Sequence, residues 1–311
     1  TVRTLVALLL YAVLSLFSIG KYAFPLAAWA APIFALHVTR RRKPLRGALL
    51  IALASYLPAL LSFRGATIAG SIHPAADYVF FLVTALLGSL PYLLDRILLG
   101  WTADENGHVP FWATLIFPLA ATALDYLATG NSAIGTFGAS GYSQFGLTPI
   151  MQLAALTGIW GLTFVTSWFA SAVAWAWSRD FKGPVVRRSA VALALVLAGI
   201  AGYGGLRLAR NQTPARTVAV GGYAGEAEIG SLMETLQTSE TDFDEAVTAY
   251  HEDYLAQTRQ LAAQGAEIVL WSEGAGLGLD PQVRALVAKG AALADELDIY
   301  LAMSTFTLYP N

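Results

Sequence analysis

Glu273 stands two positions past Ile268, Val269, Leu270 and Trp271, an apolar run with the length and composition of a buried β-strand. In sheets flanked by helices, ligands bind outside the carboxyl ends of the strands. A carboxylate there, beside an indole and partly desolvated, suits general-base chemistry, so Glu273 is the catalytic candidate. The alternative is that Ser272 and Glu273 begin an ordinary solvated turn. Gly274, Gly276 and Gly278 follow. A dinucleotide fingerprint would need its third glycine at 279, where Leu279 stands, so a nucleotide loop is excluded. The glycines instead suit close approach of the backbone to a substrate or to another loop.

A second cluster lies in an uncharged stretch, 138–154, that carries Ser140, Tyr142, Ser143, Gln144 and Gln152. Hydrogen-bonding side chains without charge suit a segment that dips into a membrane interface and recognises a polar lipid head, with Gly146 and Pro149 shaping the re-entry. A plain connector is the alternative. Tyr142, Ser143, Gln144, Gln152 and the strand residue Trp271 are therefore the lipid- or substrate-binding candidates. Asp77, Asp95, Asp125 and Arg64 fall at the edges of apolar stretches, where ionisable groups can reach water. His37, His73, His108 and His251 show no metal-ligand spacing, so no metal site is expected. Arg40, Arg41, Arg42 and Lys43 form a basic run that signals topology and touches anionic lipid. With no cysteine in 311 residues, disulfides, Cys-ligated metals and a thiol nucleophile are excluded within this sequence.

The elements that must hold these residues follow from composition. The chain is 56% hydrophobic and only 13% charged, where a soluble domain carries about a quarter. Seven apolar stretches approach the roughly 20 residues that a bilayer-spanning helix needs: 4–20, 22–38, 47–63, 78–94, 109–127, 154–177 and 189–206. Residues 1–210 hold 15 Lys and Arg against 6 Asp and Glu, whereas residues 211–311 hold 4 against 15. The spacing thus predicts a bundle of about seven helices over 1–210 and a water-soluble domain over 216–311, joined by a hinge at 211–216. Basic residues collect in alternate loops, which places the N-terminus in the cytoplasm and the C-terminal part outside.

Beyond residue 216, a β-branched run at 217–220 predicts a first strand. Ser239 and Asp242 resemble a capping box that opens a helix ending at Gly265. Residues 267–271 read as a second strand, Asp280 and Pro281 as N-cap and first turn of another helix to about 297, and 299–308 as a third strand. Three strands alternating with helices predict an α/β sheet that is only part of a domain. Both ends of the sequence look cut.

Two segments carry a family resemblance. Gly141-Tyr-Ser-Gln, Pro149, Gln152-Leu-Ala and Gly158-Ile-Trp-Gly-Leu-Thr-Phe are similar to the loop-and-helix signature of bacterial apolipoprotein N-acyltransferases. Ala266-Glu-Ile-Val-Leu-Trp-Ser-Glu-Gly-Ala resembles that family's strand ending in Trp-Pro-Glu-Thr-Ala, whose glutamate is the base of a Glu-Lys-Cys triad. The resemblance implies a multi-span helical membrane bundle followed by an incomplete nitrilase-like αββα domain on the periplasmic side of a bacterial inner membrane. It implies Glu273 as general base, a phospholipid acyl donor, a diacylglyceryl-cysteine lipoprotein as acceptor, a thioester on a cysteine beyond Asn311, and no metal or soluble cofactor. A monomer is expected, with no nucleic-acid partner. Ser272 and Gly274 replace the family's Pro and Thr, so Ser272→Pro is expected to be tolerated. The first strand lacks the family's Gln-Gly-Asn ending, and Lys289, in a predicted helix, is not the triad lysine. A membrane-tethered amidase, or a non-catalytic relative that binds lipid or a partner, are the competing readings.

Overall fold

The computed structural model describes residues 2–64, 75–129, 135–210, 217–225 and 229–309. His73 and the hinge predicted at 211–216 lie outside these. The chain divides into two compact units, Thr1–Asn211 and Gln212–Asn311.

The first unit is helical. Its long helices are α1 (Val2–Leu16), α2 (Pro25–Thr39), α3 (Pro44–Ser62), α4 (Ala76–Thr102), α5 (Ile116–Thr129), α8 (Ile159–Trp177) and α9 (Pro184–Ala209), with two single turns, α6 (Thr148–Met151) and α7 (Ala154–Thr157), between α5 and α8. Pro25, Pro44 and Pro184 open their helices, where a missing N–H leaves no carbonyl unpaired. Five helices among the described residues are long and apolar enough to cross a membrane: α3, α4, α8, α9, and α5 together with the 3-10 turn before it. The first two, α1 and α2, are apolar but have 15 residues each, about 22 Å of helix against a hydrocarbon core of roughly 30 Å. The seven predicted stretches thus all become helix, with the first two shorter than read. The sixth is also shorter: Gly158, at φ +66, ends α7, so α8 starts at Ile159 and not at 154.

Helix α8 is the centre of this unit, with 56% of its span buried, against 17% for α9. It packs on α2 and α5. Ala31 and Ala35 on α2 and Ala170 and Ala174 on α8 are all buried in one cluster with Tyr11, Leu36, Ile51, Tyr92 and Phe117. Small residues four apart on both helices let the two backbones approach closely, which is how helices associate where lipid supplies no hydrophobic drive.

The second unit is α/β. Strand β1 (Val220–Tyr223) is followed by α10 (Ile229–Thr238) and α11 (Glu240–Ala263), then β2 (Ile268–Trp271), β3 (Gly276–Leu279), α12 (Asp280–Leu297), β4 (Tyr300–Ala302) and β5 (Thr305–Leu308). One parallel sheet has the order β1-β2-β4, and β3 pairs with β5, also in parallel. The core joins Phe243, Val247 and Tyr254 of α11, Val269 and Trp271 of β2, Leu277 of β3 and Leu286 and Leu293 of α12.

Several boundaries differ from the sequence reading. The first strand is Val220–Tyr223, because it pairs with 268–271 and so must run level with that buried strand. Among the described residues five strands form where three are predicted. The run 299–308 breaks at Met303 and Ser304 into two strands that serve different sheets. Gly276 to Leu279 forms a strand despite the weak β-propensity of glycine, because crowding requires it. A Cβ on Gly276 would lie 2.9 Å from Thr305 Cγ2, and one on Gly278 would lie 3.1 Å from Gln282 Oε1. The close approach expected of these glycines is therefore to neighbouring chain segments. Ser239 is the N-cap of α11, accepting from the Asp242 amide at 3.3 Å, and Gly265 takes the positive φ beyond its end. The N-cap of α12 is Leu279, with Asp280 and Pro281 already inside the first turn.

Candidate functional site

The three parallel strands of the larger sheet end side by side at Tyr223, Trp271 and Ala302. The turn after the central strand β2 carries Ser272 and Glu273 and is closed by Gly274 at φ +80. Around it Tyr223, Tyr250 and Tyr254 stack edge to face, with centroids 4.9 and 5.1 Å apart. Ser272 is fixed twice: its amide donates to the Tyr223 carbonyl at 3.0 Å and its Oγ lies 2.8 Å from the Tyr254 hydroxyl. The Tyr254 hydroxyl also accepts from the Gly225 amide at 2.8 Å. Burial, aided by the hydrogen bond to Tyr254, holds the Tyr250 phenol well above the ordinary tyrosine range, so this ring stays neutral.

Glu273 itself is exposed, and it makes no hydrogen bond or ion pair among the described residues. The partial desolvation expected beside an indole is absent here. Trp271 is buried and points the other way: its Nε1 donates to Thr258 Oγ1 of α11 at 2.9 Å and its ring lies 5.2 Å from that of Tyr254. Trp271 is thus a core residue that fixes the strand end. Proline at 272 would delete the bond from the 272 amide and the serine hydroxyl together, two contacts that weigh against tolerance of Ser272→Pro. The hydroxyl cluster was missed in the sequence, although Tyr250 and Tyr254, four apart on α11, were its visible signal.

In the helical unit the uncharged stretch forms a 3-10 turn, Ser140–Gln144, followed by α6 and α7. Of the four side chains it offers for a lipid head, Ser143 and Gln144 are buried. Gln144 Oε1 accepts from Trp29 Nε1 at 2.7 Å and its Nε2 donates to Ser143 Oγ at 3.0 Å, so both residues seal the loop onto α2. Tyr142 is exposed, with its hydroxyl 2.8 Å from Thr136 Oγ1, and Gln152 Oε1 accepts from Arg207 Nε of α9 at 3.0 Å. Asp125 is a second anchor: its carboxylate accepts from the Ser140 amide at 3.1 Å and from Thr163 Oγ1 at 2.8 Å. Gly141 is required there, since a Cβ would sit 2.5 Å from the Ile159 carbonyl. The stretch is a structured cap on one end of the bundle, and it brings together residues from α2, α5, α8 and α9.

The profile of the apolipoprotein N-acyltransferase N-terminal domain matches residues 11–172, from α1 through this cap and into α8. The chain belongs to that family. It is also 32% identical over 166 residues to the apolipoprotein N-acyltransferase of Caulobacter vibrioides, a match covering 53% of this chain. The aligned part spans 29% of that relative. The family profile ends before β1, so Glu273 and the whole α/β unit lie outside it.

At the other end of α2 lies a feature that the sequence reading put at the water boundary. Asp95 of α4 is fully buried, and Arg40 grips it with two bonds, Nε to Oδ2 at 2.9 Å and Nη2 to Oδ1 at 3.0 Å. Arg40 also donates to Ser171 Oγ at 2.7 Å and to the Ser171 carbonyl at 3.2 Å. Ion pair and serine tie α2, α4 and α8 together. The signal was an acid directly following the apolar stretch 78–94.

Proposed function

We propose that the chain serves lipoprotein N-acylation, supplying the membrane bundle and the general base of an acyltransferase whose thiol nucleophile lies outside these 311 residues. Membership of the family, carried by residues 11–172, is the observation that supports this most. In that chemistry a cysteine thiolate attacks the ester carbonyl of a phospholipid, forming a thioester and releasing the lysophospholipid alcohol. The α-amino group of a diacylglyceryl-cysteine then attacks the thioester, an amide forms, and the thiol is regenerated. Glu273 would take the proton from each nucleophile in turn. Its support is its place at the carboxyl end of the central parallel strand, where it has no hydrogen bond or ion pair among the described residues. We assign the two sheets and their helices to part of a nitrilase-like αββα sandwich on the periplasmic face of the inner membrane. The protein would act as a monomer.

In the complete enzyme, Glu273→Gln keeps volume but cannot accept a proton, so conversion of a diacylglyceryl lipopeptide to the triacylated form should fall by at least about a hundredfold with membrane insertion unchanged. Mass spectrometry of the lipopeptide reads it. Near-normal conversion would sink the base assignment, while hydrolysis of a small amide without lipopeptide conversion would favour a tethered amidase. Orientation has its own test: a reporter active only outside the cytoplasm should give signal when fused after residue 216 and none after Lys43.

A further inference from the structure

The basic end of the bundle holds a cavity of about 390 Å3 where α2, α4 and α8 finish. It is lined by His37, Arg40, Arg41, Arg96, His108 and Arg179, among others. Arg40 is neutralised by Asp95. The other three arginines form no ion pair among the described residues. Two of them are held in place by neutral groups: Arg96 Nε donates to the Arg42 carbonyl at 3.0 Å, and Arg179 donates to the Val109 carbonyl at 2.7 Å while its guanidinium lies 4.2 Å from the centre of the Trp175 ring. Each still has N–H groups to offer. The side chain of Arg41 makes no hydrogen bond among the described residues. Besides Asp95, the carboxylate of Asp104 acts on this end, but it is committed to its own turn, accepting from the amides of Asn106 at 3.0 Å and His108 at 2.7 Å and lying 3.5 Å from His108 Nδ1, and it adds one negative charge against three guanidinia.

Trp175 also lines a second cavity, of about 750 Å3, between α8 and α9. Apart from Arg187 and Ser189 its walls are apolar, including Phe111, Val173, Phe181, Val186 and Leu193. A cationic chamber and an apolar groove thus share one wall, at the depth where the apolar spans end. Free phosphate would fill the first and leave the second empty. An amphiphile with a phosphodiester head and acyl chains fills both.

We propose that this pair of cavities binds one anionic phospholipid, its phosphodiester among Arg41, Arg96 and Arg179 and an acyl chain along the α8–α9 groove. Guanidinium groups suit the head because their fixed N–H forks match phosphate oxygens. The site lies at the far end of α2 from the Gln144–Trp29 cap and uses none of the residues assigned to acyl transfer, so it stands whether or not that reading holds. The lipid here is a structural ligand that ties the ends of α2, α4 and α8 to α9.

The test is binding to the whole chain in mild detergent, read by native mass spectrometry with phosphatidylglycerol, phosphatidylcholine and inorganic phosphate as probes. Phosphatidylglycerol should bind at least about tenfold more tightly than phosphatidylcholine, because both offer the same phosphodiester but choline brings a fixed positive charge into a chamber of guanidinium groups. Arg41→Gln, which breaks no side-chain hydrogen bond or ion pair among the described residues, should remove most of that preference. Arg41→Lys should keep part of it. Arg46→Gln, an equally basic position that does not line the cavity, should leave it unchanged. Equal binding of the two lipids would overturn the proposal, as would an Arg46→Gln loss equal to that of Arg41→Gln, which would mean diffuse surface charge. Inorganic phosphate competing at the lipid's own concentration would overturn the lipid assignment.

Discussion

In the helical unit a carboxylate is taken out of water, with Asp95 fully buried and the part-buried Arg40 clasping it, whereas in the α/β unit the buried polar groups are neutral and no described carboxylate is buried. Thr258, Tyr250, Tyr254 and His251 satisfy one another or the backbone, and Glu273 stays at the surface. The contrast follows from the solvents. A charge between apolar helices has no water to return to, so its partners must be built in, and the pair becomes part of the architecture. A carboxylate at a strand end in water needs no partner, and that leaves it able to accept a proton. A carboxylate is therefore built into the packing of one unit and left at the surface of the other.

The largest effect should come from breaking the bundle's pair. Asp95→Leu leaves the Arg40 guanidinium with Ser171 alone, and stranding a buried charge costs about 3–5 kcal/mol. Converting both residues to leucine should recover most of that loss. Unfolding of the whole chain on titration with a denaturing detergent would measure both. If the single variant is no less stable than the double, Asp95 is not held by its charge and the contrast between the units fails.

How legible this was in the sequence differs between the units for related reasons. Seven apolar stretches announced seven helices, because burial in lipid demands runs of one kind of residue. Asp95 and Arg40 were visible as residues but not as a pair, since 55 positions separate them and only the crossing of α2 and α4 brings them together. The cap was recognised as unusual from its uncharged polar composition. That Gln144 faces Trp29 rather than lipid depends on a contact 115 residues long. In the α/β unit β2 and its Glu273 were legible from a local pattern. Strand β3 was not, because Gly276 and Gly278 are there for lack of space beside Thr305 and Gln282, a fact of packing that no local propensity encodes. Likewise nothing in residues 299–308 announces that the strand changes sheets at Met303.

A middle-sized effect should follow from disturbing the neutral network. Ser272→Pro removes the amide donor to Tyr223 and the hydroxyl contact with Tyr254, and we expect a loss of about 2 kcal/mol from two net hydrogen bonds. Pulse proteolysis in urea, following cleavage within 217–309, would read it. Ser272→Ala should lose only about half as much. Equal stability of Ser272→Pro and wild type would mean that the turn rearranges, and the hydroxyl cluster would then not be what fixes the position of Glu273.

The smallest effect tests whether neutrality inside the α/β unit is enforced. His251 is buried, and its Nε2 donates to the Leu277 carbonyl at 2.8 Å. Burial pushes its pKa below the ordinary histidine value, and the neighbouring Lys289 ammonium adds to that, while the Leu277 carbonyl and Glu252 oppose it. The unfolded chain therefore binds a proton at His251 more readily than the folded one, so stability falls as pH drops through about 6.5 and levels off below the folded pKa. The depressed pKa of Glu252, caused first by its hydrogen bond from Lys289, works in the same direction but at more acid pH. Glutamine at 251 can still donate to the Leu277 carbonyl but does not titrate. Between pH 7.5 and 5.5, His251→Gln should therefore lose less stability than wild type in the same proteolysis assay. Identical losses in the two proteins would mean that the α/β unit tolerates a buried charge at this position, as the bundle does at Asp95.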